Sequence, residues 1–208
     1  MEERLKKLKK GFNKRYVLHC GDVNQLKLPL VALSIDPGSS MMGVRVERII
    51  DEDCSECILD RVISIGGKSL GTKCESIPYT VACTLDELYD WSECSLVIIE
   101  KQVGINKDMM VIENVIAMYF TMLWSDCTDK CVISISSAVK SCFFDDRKSK
   151  KQLSLHMARR LCEKRGDYKS VSNWQNVRTV KEGSDRGDPV LQLYAFLYGI
   201  GLIPSISV

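Results

Sequence analysis

The sequence predicts one α/β domain whose mixed sheet combines an antiparallel opening meander with later parallel strands, flanked by helices. Two uninterrupted apolar runs, at residues 30–35 and 96–99, have the length and composition of buried strands. Residues 108–124 and 148–164 have the length and spacing of helices. Helical crossovers between strands place the later strands parallel to the first, which is the α/β arrangement.

The opening meander is predicted from a strand, a turn and two further strands. The run at 30–35 ends in Asp36 and is followed by the turn-forming residues 37–40. Partial alternation at 43–50 predicts a second, half-exposed strand, and residues 58–65 predict a third. Short connections make these three strands antiparallel neighbours.

The remaining segments follow from the same criteria: a loop at 66–80, a helix at 84–91 capped by Thr84, a strand at 132–135, a turn-rich stretch at 166–183 and a last helix at 184–198. The helix at 108–124 is apolar on almost every face. Such a helix must be covered on more than one side, by its own sheet and by another element or subunit.

Composition places the chain among ordinary globular proteins. Its 208 residues are 45% hydrophobic and 27% charged, enough for one substantial core. No apolar run is long enough to span a membrane and the N-terminus does not have the pattern of a signal peptide, so we expect an unsecreted, soluble protein. Its ten scattered cysteines favour free thiols in a reducing, intracellular compartment. A zinc site built from the pairs Cys54/Cys57 and Cys127/Cys131 stays open as the alternative.

Positive charge is concentrated in two segments, although the net charge of the whole chain is only +2. Residues 1–15 hold seven basic and two acidic groups, a local 7 − 2 = +5, and we predict a basic extension at 1–29 before the folded domain at 30–208. A flexible basic arm is typical of nucleic-acid binding, and equally of a solvated tail or a transport signal. Residues 140–165 hold nine basic and three acidic groups, 9 − 3 = +6.

Four acidic residues are candidates for chemistry. Asp36 and Glu100 each end a buried strand, while Asp185 and Asp188 are three apart in the predicted first turn of the last helix and so share one face. Four convergent carboxylates repel one another unless cations fill the site, and their hard oxygens suit Mg²⁺ or Mn²⁺. Taken singly, each has a structural alternative as a turn residue, a strand end, a helix cap or a partner of the helix dipole.

The order of these motifs resembles the RuvC-like Holliday junction resolvases, including those of poxviruses and other large DNA viruses, in the RNase H superfamily. The resemblance covers residues 31–200 and is carried by the segment from Asp36 to Gly38, by VIIE ending at Glu100, and by Asp185-x-x-Asp188. Glu100-Lys101-Gln102 before an apolar helix resembles the poxvirus segment, and Val132 to Leu153 resembles the family's lysine-bearing strand, loop and helix start.

This resemblance implies an RNase H-like fold and a Mg²⁺-dependent endonuclease of DNA recombination and repair, with Mn²⁺ able to substitute and two ions per active site. It implies a homodimer that cuts four-way DNA junctions by paired nicks, leaving 5′-phosphates. Together with the reduced cysteines, it leads us to expect the protein in the cytoplasm, the nucleus or a viral replication site. The catalytic residues that it implies are Asp36, Glu100, Asp185 and Asp188 as metal ligands and Lys150 as the assisting lysine, with Lys140, Lys148 and Lys151 as weaker candidates.

Two features depart from the family pattern. Pro189 follows the last aspartate where the family usually has a small residue, and Val103-Gly104 stands where the bacterial members have an aromatic. Two other functions stay open. One is a nuclease of the same fold acting on RNA or RNA:DNA hybrids, since four carboxylates serve any phosphodiester, and the other is a non-catalytic nucleic-acid-binding module that kept the fold. The four acids disfavour a non-catalytic binding module, because a surface that only binds phosphate gains nothing from clustered negative charge.

Overall fold

A six-stranded mixed sheet forms the centre of the molecule in a computed structural model that describes residues 2–65, 77–103, 106–144 and 150–206. Its strands are β1 (Tyr16–Cys20), β2 (Leu30–Pro37), β3 (Met41–Ile49), β4 (Ser55–Ser64), β5 (Cys94–Lys101) and β6 (Cys131–Ser136). Their order is β1-β6-β5-β2-β3-β4; β2 and β5, and β5 and β6, are parallel, whereas the other neighbours are antiparallel. The predicted α/β class and the antiparallel opening meander are confirmed.

Helices cover both faces of this sheet. They are α1 (Glu2–Lys9), α2 (Ile77–Leu88), α3 (Lys107–Leu123), α4 (Lys150–Lys164), α5 (Tyr168–Asn173) and α6 (Val180–Gly199), and a 3-10 helix at Ser137–Phe143 directly follows β6. None of the described helices is long and apolar enough to cross a membrane.

Two hydrophobic cores lie on opposite faces of the sheet. Leu33 and Ile35 of β2 pack with α2 and α3, while Leu30 and Ala32 of the same strand pack on the other face with α1, α4 and α6. Because both faces of β2 are buried, the strand is an uninterrupted apolar run.

The N-terminal segment is part of the folded structure, so the prediction of a flexible arm is wrong. Leu5, Leu8 and Phe12 are buried in the core beside α6, and β1 pairs antiparallel with β6 as an edge strand. The boundary placed at residue 29 stays a prediction, although residues on both sides of it share one core.

Strand β3 is almost fully buried, not half-exposed as its polar residues suggest. Arg45 and Glu47 have no exposed surface and form an ion pair at 2.5 Å. Arg45 also pairs with Asp167 at 2.6 Å and donates to the Ser170 hydroxyl at 2.9 Å. Tyr194 of α6 donates a hydrogen bond to Glu47. Partners from other elements therefore satisfy both charges inside the core.

Several predicted boundaries are wrong. Thr84 does not cap a helix but lies inside α2, where its hydroxyl donates to the Thr80 carbonyl at 2.7 Å. The stretch at 166–183 is not all turns, since it contains α5 and the start of α6. Part of the loop predicted at 66–80 belongs to α2, and its residues 66–76 lie outside the described chain.

Candidate active site

Two neighbouring strands bring the first pair of predicted acids together. Strands β2 and β5 run parallel, with Ile35 opposite Ile99, so Asp36 and Glu100 follow at the same edge of the sheet. Both side chains are largely buried, with 18% and 14% of their surface exposed. The carboxyl ends of adjacent parallel strands meet in this way in α/β folds.

Helix α6 supplies the third carboxylate, but not from its first turn. The helix begins at Val180 and is capped by Thr179, whose hydroxyl accepts from the Glu182 amide at 3.1 Å. Asp185 and Asp188 therefore lie in its second and third turns, and the prediction that they open the helix is wrong. Their spacing of three still places them on one side of α6.

Lys140 lies at the centre of the carboxylates. Its Nζ atom is 3.0 Å from Asp188 Oδ2 and 3.6 Å from Asp36 Oδ2, and it forms an ion pair with Glu100. Burial alone would lower the pKa of Lys140, but the three carboxylates outweigh it and raise that pKa. The ammonium group therefore neutralises part of a cluster that would otherwise repel itself.

The unfavourable electrostatics of the site raise the pKa of the Asp36 carboxyl. Burial raises its pKa well above the usual range, Lys140 opposes the rise, and the charges of Glu100, Asp188 and Asp185 add to it. Asp185 is half-buried, and its charge acts on the same cluster.

The absence of a side chain at Gly43 allows α6 to lie directly on the sheet, and Pro189 is accommodated at the same contact. Gly43 of β3 is paired with Asp36, and a Cβ atom added to it would lie 2.0 Å from the Asp185 carbonyl oxygen. Pro189 has no N–H to bond that carbonyl four residues earlier in the helix. The carbonyl faces the space that Gly43 leaves open, so the helix and its two aspartates approach the end of β2 closely.

Buried hydrogen bonds fix this contact. The Ser34 hydroxyl donates to the Pro189 carbonyl at 2.7 Å, and the Gln192 amide donates to Ser34 and to the Ile35 carbonyl, both at 2.9 Å. Ser34 and Gln192 have no exposed surface. These bonds tie α6 to β2 one or two residues before Asp36.

Asp188 and the end of β5 are held by further polar contacts. Ser154 of α4 donates to Asp188 Oδ1 at 2.5 Å, and Ser184 donates to its other oxygen at 3.2 Å. The carboxylate of Glu113 in α3 accepts a hydrogen bond from the backbone N–H of Gln102 at 2.7 Å. This bond fixes the backbone just after Glu100. Each carboxylate of the cluster therefore comes from a segment tied down by packing or hydrogen bonds.

The donor set suits a hard divalent cation, since all of its groups are carboxylate oxygens. Within the described residues, however, no group of three or more acidic, histidine or cysteine side chains has the arrangement to hold a metal as it stands. Lys140 occupies the place among Asp36, Glu100 and Asp188 that a cation would take. The residues thus fit a cation chemically, provided that the ammonium group withdraws from the centre.

The remaining site predictions have different outcomes. Lys150 is the first residue of α4, but its side chain lies outside the described residues, as do those of Lys148 and Lys151. The nine described cysteines are free, Cys74 lies outside the description, and none of the nine belongs to a metal-holding group. Sequence reasoning did not identify the residues that position the cluster, namely Ser34, Gly43, Glu113, Ser154 and Gln192.

The sheet order and the helices on its two faces define an RNase H-like fold, with β1 added beyond β6. Solved structures with a similar fold include Thermus thermophilus RuvC and a yeast mitochondrial Holliday junction resolvase. The chain is 11% identical to Thermus thermophilus RuvC in complex with a Holliday junction substrate, with a TM-score of 0.52, covering 83% of this chain and 98% of that one. It is 13% identical to the yeast mitochondrial Holliday junction resolvase Ydc2, with a TM-score of 0.58, covering 85% and 82%.

A second Thermus thermophilus RuvC structure gives 10% identity and a TM-score of 0.53, covering 80% of this chain and 95% of that one. No family model matches the sequence, and no curated protein matches it significantly. The fold predicted from the sequence resemblance is confirmed by these structures.

Proposed function

We propose that this protein is a metal-dependent endonuclease that resolves four-way DNA junctions. The observation that carries the proposal is the convergence of Asp36, Glu100 and Asp188 on Lys140 at one edge of an RNase H-like sheet. Proteins whose structures resemble this one over most of their length are Holliday junction resolvases, one of them solved with junction DNA.

Asp36, Glu100, Asp188 and the nearby Asp185 are the residues that would hold Mg²⁺ or Mn²⁺, with two ions as the expected number. When bound, such ions supply activation of a water molecule and stabilisation of the departing oxygen of a phosphodiester. If cations were held there, Lys140, which lies beside all three carboxylates, would supply a positive charge to the phosphate next to them. Ser154 and Ser184 orient the carboxylate of Asp188 through hydrogen bonds to both of its oxygens.

Two other functions use the same fold, a nuclease acting on RNA or RNA:DNA hybrids and a module that binds nucleic acid without cutting it. The buried carboxylate cluster disfavours the module, since clustered negative charge opposes phosphate binding. The three functions are separated by incubating the purified protein with labelled four-way junction, linear duplex and RNA:DNA hybrid, each with Mg²⁺, Mn²⁺ or chelator. Paired nicks confined to the junction, dependent on metal and leaving 5′-phosphates, support the proposal.

Asp188→Asn is the matched control for this experiment. The substitution keeps the shape of the side chain but removes one ligand charge, so cleavage should fall by about a hundredfold or more. Junction binding in chelator should persist, because the basic residues remain. If the folded variant cuts junctions at the parental rate, the carboxylate cluster is not the active site and the proposal fails.

A homodimer is part of the proposal, since paired nicks need two equivalent active sites on a nearly two-fold symmetric junction. The exposed surface of helix α3 supports a homodimer. Val111, Met118 and Met122 lie on one stripe of this helix and are 39%, 59% and 70% exposed in the single chain. Large exposed apolar side chains on one stripe mark a surface that a protein partner covers.

A further inference from the structure

A basic groove lies beside the candidate active site, on the far side of the 3-10 helix that carries Lys140. It encloses about 160 Å³ and is lined by Arg4, Lys7, Leu8, Arg15, Ala138, Val139, Ser141 and Cys142. Three of these residues are cationic, and none of the described lining residues is acidic. The groove therefore has the charge of a site for an anion.

The geometry of the 3-10 helix separates the groove from the carboxylates. Residues three apart lie on the same side of such a helix. Ala138 and Ser141 thus share a side, and Val139 and Cys142 share the next; both sides face the groove. Lys140 lies on the third side, with Phe143, and points into the carboxylate cluster. The 3-10 helix therefore lies between the two sites.

Arg15 is at the same edge of the sheet as the active site. Strand β1 runs antiparallel to β6, with Tyr16 opposite Ile135, and the Ser136 amide donates to the Arg15 carbonyl at 2.8 Å. The beginning of β1 therefore meets the end of β6, next to the ends of β2 and β5.

Helix α1 is held firmly enough to present its charges in a fixed arrangement. Leu5 and Leu8 are at most 5% exposed. The Phe12 ring packs on Phe196, and it fits only because Gly199 has no Cβ, which would lie 2.4 Å from the ring. A preformed cationic surface loses little conformational entropy when it binds.

Resting on the proposed function, we infer that this groove binds the phosphate backbone of one duplex arm of the DNA substrate. The carboxylate cluster repels phosphates, and Lys140 alone offsets only part of its charge, so a strand that approaches the metal site needs cations at its flank. Lys7 and Arg15 provide them on a surface adjoining the site. Lys7 and Arg15 thus belong to the DNA-binding surface and are held there by the folded N-terminal segment.

The test compares two double variants of the full chain that remove equal charge. Lys7→Gln/Arg15→Gln changes the groove, while Lys10→Gln/Lys14→Gln removes two nearby, exposed lysines that do not line it. Affinity for labelled four-way junction and for linear duplex is measured in chelator between 50 and 200 mM salt. Each phosphate contact adds about 0.9 to the magnitude of the slope of log K against log salt concentration. The groove variant loses two contacts, so this magnitude should fall by roughly 2 on both DNAs. The control variant should keep the parental slope.

Equal slopes for all proteins, or the same loss in both double variants, would overturn the groove assignment. Thermal unfolding checks that each variant folds, and Lys7→Arg/Arg15→Lys, which keeps the charge, should retain the parental slope. A loss of slope in this third variant would show a packing effect and would also overturn the assignment. Because binding is measured without metal and on plain duplex as well, a failure of the resolvase proposal would appear separately, in the cleavage assay.

Discussion

Gly43→Ala tests whether close contact between α6 and the sheet sets the geometry of the active site. The added Cβ would lie 2.0 Å from the Asp185 carbonyl oxygen and 3.2 Å from the Pro189 ring. Ordinary contact begins at 3.4 Å, so the backbone of α6 and that of β3 must separate by about 3.4 − 2.0 = 1.4 Å. The obstructing atom belongs to the backbone and cannot rotate away as a side chain can.

This displacement should affect both stability and catalysis. Overpacking of a buried contact costs about 1–3 kcal/mol, which corresponds to a decrease in Tm of roughly 2–12 °C for a chain of this size. A shift of about 1 Å in a catalytic group can reduce a rate by about a hundredfold. Because Asp185 and Asp188 move with α6 whereas Asp36 and Glu100 stay on the sheet, cleavage should fall by that factor even where the protein is fully folded.

Gly183→Ala is the matched control in the same helix. Its Cβ would lie 3.3 Å from both Cβ and Cδ2 of Leu155, a tight contact that a shift of a few tenths of an ångström relieves, and alanine favours a helix over glycine by about 1 kcal/mol. We expect parental or higher stability and parental cleavage. Both variants are compared by thermal unfolding and by metal-dependent cleavage below the Tm of either. If Gly43→Ala is as stable and as active as the parent, α6 does not depend on this contact and the explanation is wrong.

Three other predictions test the dimer, the buried network and the charge of the site. Met118→Lys/Met122→Lys should shift the protein from dimer to monomer in light scattering at micromolar concentration; a parent that is itself monomeric would contradict the proposed dimer. Arg45→Met should destabilise the protein by about 3–5 kcal/mol in urea unfolding, because Glu47 and its neighbours lose a buried partner; a loss below about 1 kcal/mol would contradict this role. The pKa of Asp36 is raised in the folded state. Protonation of Asp36 therefore stabilises the fold at pH below about 3.9, and this contribution is lost as the pH rises through the pKa of the folded state. In chelator, Asp36→Asn should therefore gain stability relative to the parent as the pH rises above about 3.9, and a difference independent of pH would contradict this.

The sequence was sufficient to predict the elements that carry Asp36 and Glu100, because each strand is a short apolar run that ends at its acid. Order along the chain then implied that parallel strands bring the two acids to one edge. The position of Asp188 was predicted correctly relative to Asp185 but not relative to the start of α6, because the cap at Thr179 lies in a stretch rich in turn-forming residues.

Other features depend on contacts between distant segments. Arg45 and Glu47 alternate with apolar residues, a pattern typical of a strand with one wet face. They are buried because Asp167, 122 residues beyond Arg45, supplies the second carboxylate. No local pattern contains that information. The helix at the N-terminus is different, since Leu5, Leu8 and Phe12 follow helical spacing in the sequence itself, although the charges around them favour an exposed arm.

Pro189 shows how a departure from a family pattern can be compensated elsewhere in the chain. As a sequence feature it put the geometry of the adjacent Asp188 in question, since a proline inside a helix removes a hydrogen bond. In the structure, the carbonyl that loses this bond belongs to Asp185 and faces Gly43, while the carbonyl of Pro189 accepts a bond from the buried Ser34. The glycine and the serine thus seat the acidic face of α6 against the end of β2, and the proline is accommodated at this contact. Replacing Pro189 alone by alanine would restore an N–H to the helix without changing the space at Gly43, so the variant should keep its fold and its cleavage activity, whereas filling Gly43 should disrupt the site.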